Sequence, residues 1–180
     1  MKKFFLLTAI FFLSLTSAVS AQSDYNFVRV SDLNAQEFVD TMKHGNIYQT
    51  LKQNETTVAF TTPAHHPELD DTQNLPDLSV YRALFGIQGT QTPNGQLLFY
   101  VDAEGYVWVV QVINQGDAQL SGVVLLMAME AIGLNDQEAA PLLQAQTPNA
   151  ETFCSVAGRK ILRVVADRQG NKIMLFGASN

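Results

Sequence analysis

Two adjacent histidines and three carboxylates lie close together in residues 63–76, at His65, His66, Glu68, Asp70 and Asp71. Imidazole nitrogens and carboxylate oxygens are ligands for zinc, copper or nickel. However, adjacent histidines point in different directions in an extended chain, and no helical spacing places them on one face. The sequence therefore favours a solvated acidic loop and keeps a metal site at His65, His66, Glu68 and Asp70 as the alternative.

Other catalytic arrangements find little support in the sequence. No G-x-S-x-G motif follows a predicted strand, no cysteine–histidine spacing supports a nucleophile, and the carboxylates are too scattered to nominate an acid–base pair. The single cysteine, Cys154, cannot form an intramolecular disulfide and is expected to be a buried, inert thiol. The sequence therefore favours a protein that is not an enzyme and that needs no cofactor, with metal-dependent chemistry at the His65/His66 loop as the alternative.

Four aromatic residues gather on two neighbouring predicted strands: Phe99, Tyr100, Tyr106 and Trp108. Alternation along the second strand places Tyr106 and Trp108 on one side and Val107 and Val109 on the other. Such residues are usually core. If helices leave their face uncovered, they instead indicate a binding surface, because exposed aromatic patches mark interfaces. We nominate Tyr100, Tyr106 and Trp108 as that surface.

The first 21 residues have the pattern of an export signal. Lys2 and Lys3 precede an apolar run over residues 4–15, and Val19-Ser20-Ala21 is a small-residue cleavage site. The run is shorter than the roughly 20 residues that a transmembrane helix needs. The pattern is typical of bacteria, so we expect a periplasmic or secreted protein that starts near residue 22 and is not stably inserted in a membrane.

The expected mature chain is one acidic domain. Removal of 21 of the 180 residues leaves 159, with nine Lys+Arg against seventeen Asp+Glu, a net charge of −8. This length suits a single domain over residues 22–180 with one hydrophobic core. The charge argues against binding of nucleic acid or an anionic membrane, and it suits a basic protein partner. The sequence does not indicate an oligomeric state.

Hydrophobic patterning predicts an α+β fold. A capping box at Asn34–Glu37 opens a helix over 35–44, which Gly45 ends. Strands are predicted at 56–61, 78–88, 96–102 and 106–114, with an irregular loop over 63–76. Short turns between the last three strands predict an antiparallel meander.

The second half of the chain predicts helices and a final hairpin. Residues 120–132 are apolar on all sides except Glu130, which is typical of a buried helix. A second capping box, Asn135–Glu138, opens a short helix. Residues 159–166 and 172–176 are expected to form a β-hairpin that extends the meander into one antiparallel sheet, with the helices packed mainly on one face.

These observations lead to three hypotheses for function. The first is an exported, non-enzymatic domain that binds a protein partner, such as a periplasmic inhibitor or immunity-type protein. The second is a carrier that encloses a small hydrophobic ligand between the sheet and residues 120–132. The third is a metal-binding protein or metal-dependent hydrolase that uses the His65/His66 loop.

Overall fold

The computed structural model of the protein describes residues 26–70, 77–135, 137–140, 152–156, 159–165 and 171–179. The expected export signal over residues 1–21 lies outside these ranges. So do residues 71–76, which include Asp71 and part of the predicted irregular loop. Cys154 lies in a strand, but its side chain is outside the described part of the molecule, and the prediction of a buried thiol stays a prediction.

The described strands form one antiparallel sheet, with β2-β4-β5-β6-β9-β8-β7 side by side. β1 pairs with β9, and β3 pairs with β4. The predicted meander is β4-β5-β6, and the C-terminal hairpin is β8-β9, which joins the meander through β6. The strands are β1 Asn26–Val28, β2 Val58–Phe60, β3 Ala64–His65, β4 Ser79–Ile87, β5 Gly95–Val101, β6 Val107–Asn114, β7 Thr152–Val156, β8 Arg159–Val165 and β9 Lys172–Ser179.

Three helices whose full bounds lie in the described ranges accompany the sheet: α1 Ala35–His44, α2 Asn46–Gln53 and α3 Ala118–Ala131. The predicted capping box of α1 is present, because the Asn34 side chain accepts from the Glu37 amide and Glu37 accepts from the Asn34 amide. The second capping box is also present, at Asn135 and Glu138, and residues 137–140 are helical. Among the described residues, no helix is both long and apolar enough to cross a bilayer.

The helices pack on one face of the sheet, as the sequence predicts. There, α1 and α3 bury their apolar side chains against inward-pointing residues of β2, β4, β5, β6, β8 and β9, and we call this group the helix-face cluster. Phe38 of α1 and Phe99 of β5 are fully buried within it. The opposite face carries a smaller buried group, the opposite-face cluster, formed by Val80, Leu98, Tyr100, Val109, Met174 and Phe176. Both faces of the meander are therefore apolar, which explains its nearly continuous hydrophobic sequence.

Three local expectations were wrong or incomplete. The segment 63–76 is not wholly irregular, because β3 pairs with β4 and Pro67–Leu69 form a single 3-10 turn. Gly45 ends α1 but also starts α2, which the sequence analysis missed. The expected alternation fails at Val109, which lies on the same side as Trp108. A β-bulge shifts the register there, so that Val101 faces Val107 and Tyr100 faces Val109.

Candidate functional site

The turn between β5 and β6 is organised by one carboxylate, that of Asp102. Its Oδ1 accepts from the backbone amides of Glu104 and Tyr106, each at 3.0 Å. These bonds hold the chain in a tight turn in which Gly105 has a φ of 94°, a conformation that glycine adopts without steric cost. The turn therefore uses one half of the carboxylate and leaves Oδ2 for other partners.

Oδ2 of Asp102 joins two residues that are distant in sequence. It accepts from Arg29 Nε and from the indole Nε1 of Trp108, both at 2.8 Å. Arg29 follows β1, which lies beside β9, so the sheet brings this guanidinium to the turn. Burial raises the pKa of the Asp102 carboxyl, but hydrogen bonds from Trp108, from the Tyr106 amide and from the guanidinium outweigh burial and hold that pKa below its ordinary value.

Arg29 is held from three sides. Its Nη2 donates to the exposed carboxylate of Glu104, and its Cζ lies 4.3 Å from the centre of the Tyr106 ring. A guanidinium over an aromatic face is attracted by the ring quadrupole. Tyr106 therefore supports Arg29, and Asp102 fixes the orientation of both Arg29 and Trp108.

These side chains border a groove of about 370 Å³ on the opposite face of the sheet, which we call the Trp108 groove. Its apolar walls include half-buried Phe27, Leu78 and Trp108. Phe27 packs on Phe176 of the opposite-face cluster with ring centroids 5.7 Å apart. The lining residues are Phe27, Arg29, Asp77, Leu78, Asp102, Ala103, Glu104 and Trp108.

The three nominated aromatic residues have different positions. Trp108 lines the groove, and Tyr106 carries Arg29 beside it. Tyr100 is only 8% exposed, and its hydroxyl donates to Gln111 Oε1 at 3.2 Å. Burial raises the pKa of that hydroxyl. Tyr100 is thus part of the opposite-face cluster and does not line the Trp108 groove.

The four nominated metal ligands form two separate pairs. His65 Nε2 lies 2.7 Å from Asp70 Oδ2, and His66 Nδ1 lies 2.6 Å from Glu68 Oε1. The His65 ring also stacks on Tyr81, with centroids 5.3 Å apart. Within the described ranges, no group of three or more histidine, cysteine, aspartate or glutamate side chains is arranged to hold a metal ion.

The carboxylates of these pairs also hold the segment in place. Burial raises the pKa of Asp70, but hydrogen bonds from the Val80 amide, at 2.6 Å, and from His65 outweigh it and lower the pKa overall. The hydrogen bond from His66 lowers the pKa of Glu68. Asp70 therefore ties the segment to β4, which is a structural role that the sequence analysis did not consider.

A second groove, of about 700 Å³, lies between α2, α3, residues 133–135 and Ala139. Its lining includes Ile47, Leu51, Val123 and Leu126. The carrier hypothesis expected a cavity between the sheet and residues 120–132. This groove instead lies where α3 meets α2, while Val124 and Ala128 of the same helix are fully buried in the helix-face cluster.

Arg29 and Asp102 determine the geometry of the Trp108 groove, and neither was predicted from the sequence as a site residue. The Asp-Ala-Glu-Gly sequence at 102–105 is a usable turn signal, since Asp accepts from amides two residues onward. Nothing local connects that turn with Arg29, which is 73 residues away.

No protein-family model matches the chain, and comparisons with curated proteins and with solved structures find no match.

Proposed function

We propose that the chain is an exported, non-enzymatic domain that binds a protein partner through the Trp108 groove, in the manner of a periplasmic or secreted inhibitor or immunity-type protein. The observation that carries the proposal is the fixed grouping of Trp108, Tyr106 and Arg29 around Asp102. The few residues that dominate the binding energy of protein interfaces are enriched in tryptophan, tyrosine and arginine. A site whose side chains are already ordered also loses less entropy on association.

The polar contacts support binding more than catalysis. Asp102 accepts four hydrogen bonds, so its carboxylate is committed to holding its neighbours. The lowered pKa keeps it ionised at neutral pH, where a general acid or base would need a pKa near the working pH. The acidic composition of the chain agrees with attraction of a basic partner.

Site-specific photo-crosslinking in producing cells tests this proposal. A photoreactive amino acid replaces exposed Ala103, which lines the groove, or exposed Ile87, which lies at the end of β4 and serves as the matched control. We expect one discrete protein adduct from position 103 and none from position 87. Trp108→Ala should abolish the adduct while circular dichroism confirms the fold. Identical adducts from both positions, or none from position 103, would contradict the proposal.

The groove beside α2 supports carriage of a small hydrophobic ligand as a second candidate. Its volume lies within the range of roughly 300–1,000 Å³ that is common for small-molecule sites. Native mass spectrometry of the purified protein should then detect a bound ligand. Leu126→Gln, which places an amide in the groove wall, should reduce its occupancy, whereas Ile87→Gln should not. Absence of any retained ligand would count against this candidate.

A metal-dependent function of the His65 segment remains a third candidate, based on the nominated residue types. Metal analysis of purified protein, with His65→Ala and His66→Ala as controls, tests it directly. A stoichiometric metal that both substitutions remove would support it. Equal metal content in all three proteins would exclude these histidines as the ligands.

A further inference from the structure

The Trp108 groove carries unbalanced negative charge. Among the described residues, its lining has the carboxylates of Asp77, Asp102 and Glu104 and one guanidinium, that of Arg29. Arg29 is shared between Asp102 and Glu104. Asp77 is exposed, and no other residue in the described ranges forms a hydrogen bond or ion pair with its carboxylate. An incoming cation would therefore meet one carboxylate that has no partner among the described residues and one that is only partly neutralised.

The apolar walls of the same groove suit the remainder of a long basic side chain. Trp108 donates its Nε1 proton to Asp102, which fixes the plane of the indole ring. The face of a tryptophan ring attracts guanidinium and ammonium groups. Leu78 and Phe27 provide aliphatic and aromatic surface on which the methylene stem of arginine or lysine can pack.

We propose that the Trp108 groove receives a basic side chain of the partner, with arginine preferred over lysine. The head group lies between Asp77 and Glu104, and the stem packs on Trp108. Arginine is preferred because a planar guanidinium stacks on indole and binds a carboxylate through two parallel hydrogen bonds. An acidic side chain would be repelled, and an apolar one would remove water from the carboxylates without replacing its hydrogen bonds. This inference rests on the proposed protein-binding function of the groove.

The chain contains a single tryptophan, so its fluorescence reports on this groove directly. The probes are four short acetylated and amidated peptides that differ only at a central arginine, lysine, glutamine or glutamate flanked by leucine. We expect a saturable change in Trp108 fluorescence with the arginine peptide and weaker binding of the lysine peptide. At the same millimolar concentrations, the glutamine and glutamate peptides should give no saturable change.

Charge-neutral variants then locate the cation. Asp77→Asn and Glu104→Gln should each weaken binding of the arginine peptide by about two- to fivefold, the range for an exposed ion pair. Asparagine tolerates the positive φ of 70° at position 77, so the backbone need not change. Glu55→Gln removes an equally exposed carboxylate outside the groove and should leave the affinity unchanged. Comparison with this control separates a local effect from a change in total charge.

The results distinguish this inference from the proposed function. Three results would each overturn the inference. The arginine and glutamine peptides bind equally, the arginine peptide gives no saturable response, or the Asp77/Glu104 double variant keeps its affinity for the arginine peptide. If the position-103 crosslink to a protein persists in any of these cases, the protein-binding function stands and only the basic anchor is wrong. If the arginine peptide binds as expected but position 103 yields no adduct, the site chemistry stands and the protein-binding function fails.

Discussion

On the helix-covered face of the sheet, Phe99 packs against Phe38 of α1 with ring centroids 5.5 Å apart, and both side chains are fully buried. On the opposite face, Trp108 is half-buried, and its orientation is fixed by a hydrogen bond to Asp102. The first arrangement is held by exclusion of water and close packing, which are not directional. The second is held by directional bonds from one carboxylate.

This difference shows how one sheet can provide both a packed core and an ordered groove that stays open. Packing secures an aromatic ring only by covering it, and a covered ring cannot touch a partner. A hydrogen-bonded carboxylate can hold an indole edge while the ring still borders an open groove. The helix face should therefore dominate folding energy, and the Trp108 groove should depend on polar contacts.

The largest expected effect is on the helix face. Phe99→Ala should lower the free energy of unfolding by about 3–5 kcal/mol, because it removes a fully buried ring and leaves a cavity. Half-buried Ile113, on the other side of the sheet, is the matched control, and Ile113→Ala should cost less than about 2 kcal/mol. Urea unfolding monitored by circular dichroism measures both. Equal losses would show that the two faces contribute alike to stability, contrary to the expected dominance of the helix face.

The next largest effect is expected at the turn between β5 and β6. Asp102→Asn should lower the free energy of unfolding by about 1–3 kcal/mol, because the amide NH₂ cannot accept hydrogen bonds from the donors that Asp102 now satisfies. The Trp108 emission spectrum should also shift, since the indole loses its fixed partner.

Glu104→Gln is the control for this substitution. Its carboxylate is 69% exposed and serves only part of the Arg29 interaction, so neither the stability nor the Trp108 spectrum should change measurably. If Asp102→Asn leaves the spectrum unchanged, the carboxylate does not orient the indole. The contrast between packed and hydrogen-bonded aromatic residues would then be wrong.

Much of the sheet follows from local signals in the sequence. The β-branched and apolar runs of β4, β5 and β6 are joined by short turns, which leave an antiparallel meander as the simple solution. Other elements lacked such signals, and α2 and β1 are two examples. α2 has no side-chain cap of its own, and β1 has three residues whose pairing with β9 involves opposite ends of the chain. Tertiary contacts determine both, and these cannot be deduced from a local window.

The candidate site was less accessible from the sequence. Trp108 was nominated because of its type, but the bulge beside Tyr100 places Val109 on the same side as Trp108, contrary to a strict period of two. His65 and His66 were nominated together, yet His65 ends β3 and His66 precedes the 3-10 turn, and the two side chains pair with different carboxylates. Residue type indicated which side chains could contribute to a binding surface or a metal site. Long-range pairing decided which of them meet.

Glu130 tests whether directional carboxylate contacts also matter on the helix side. It is the only charged residue in α3, and its two oxygens accept from the amides of Asn46 and Ile47 at 2.7 and 3.3 Å. It thereby caps α2, whose N-cap Gly45 has no side chain to do so. A Cβ at position 45 would collide with this carboxylate, so glycine permits the close approach.

Glu130→Ala should therefore lower the free energy of unfolding by about 1 kcal/mol, as for loss of a helix cap. Glu130→Gln keeps one acceptor oxygen and should cost less. Denaturant unfolding gives the energies, and hydrogen exchange at the Asn46 and Ile47 amides shows whether the loss is local. If neither substitution accelerates exchange at these amides, the capping role of Glu130 is refuted.

The smallest effect is a dependence on pH that distinguishes the two faces. The folded-state pKa of Asp102 lies below its unfolded value of about 3.9. Its ionised form therefore adds stability above that value, and this contribution is lost as the pH falls through the folded-state pKa.

Asp40, Glu68 and Asp70 also have lowered pKa values, but they are present in both wild type and Asp102→Asn. The difference in unfolding free energy between these two proteins isolates Asp102 and should shrink between about pH 7 and about pH 3. The same difference for Phe99→Ala should stay constant, since no charge is involved. A pH-independent cost of Asp102→Asn would mean that the shape of the side chain, and not its charge, holds Arg29 and Trp108 in place.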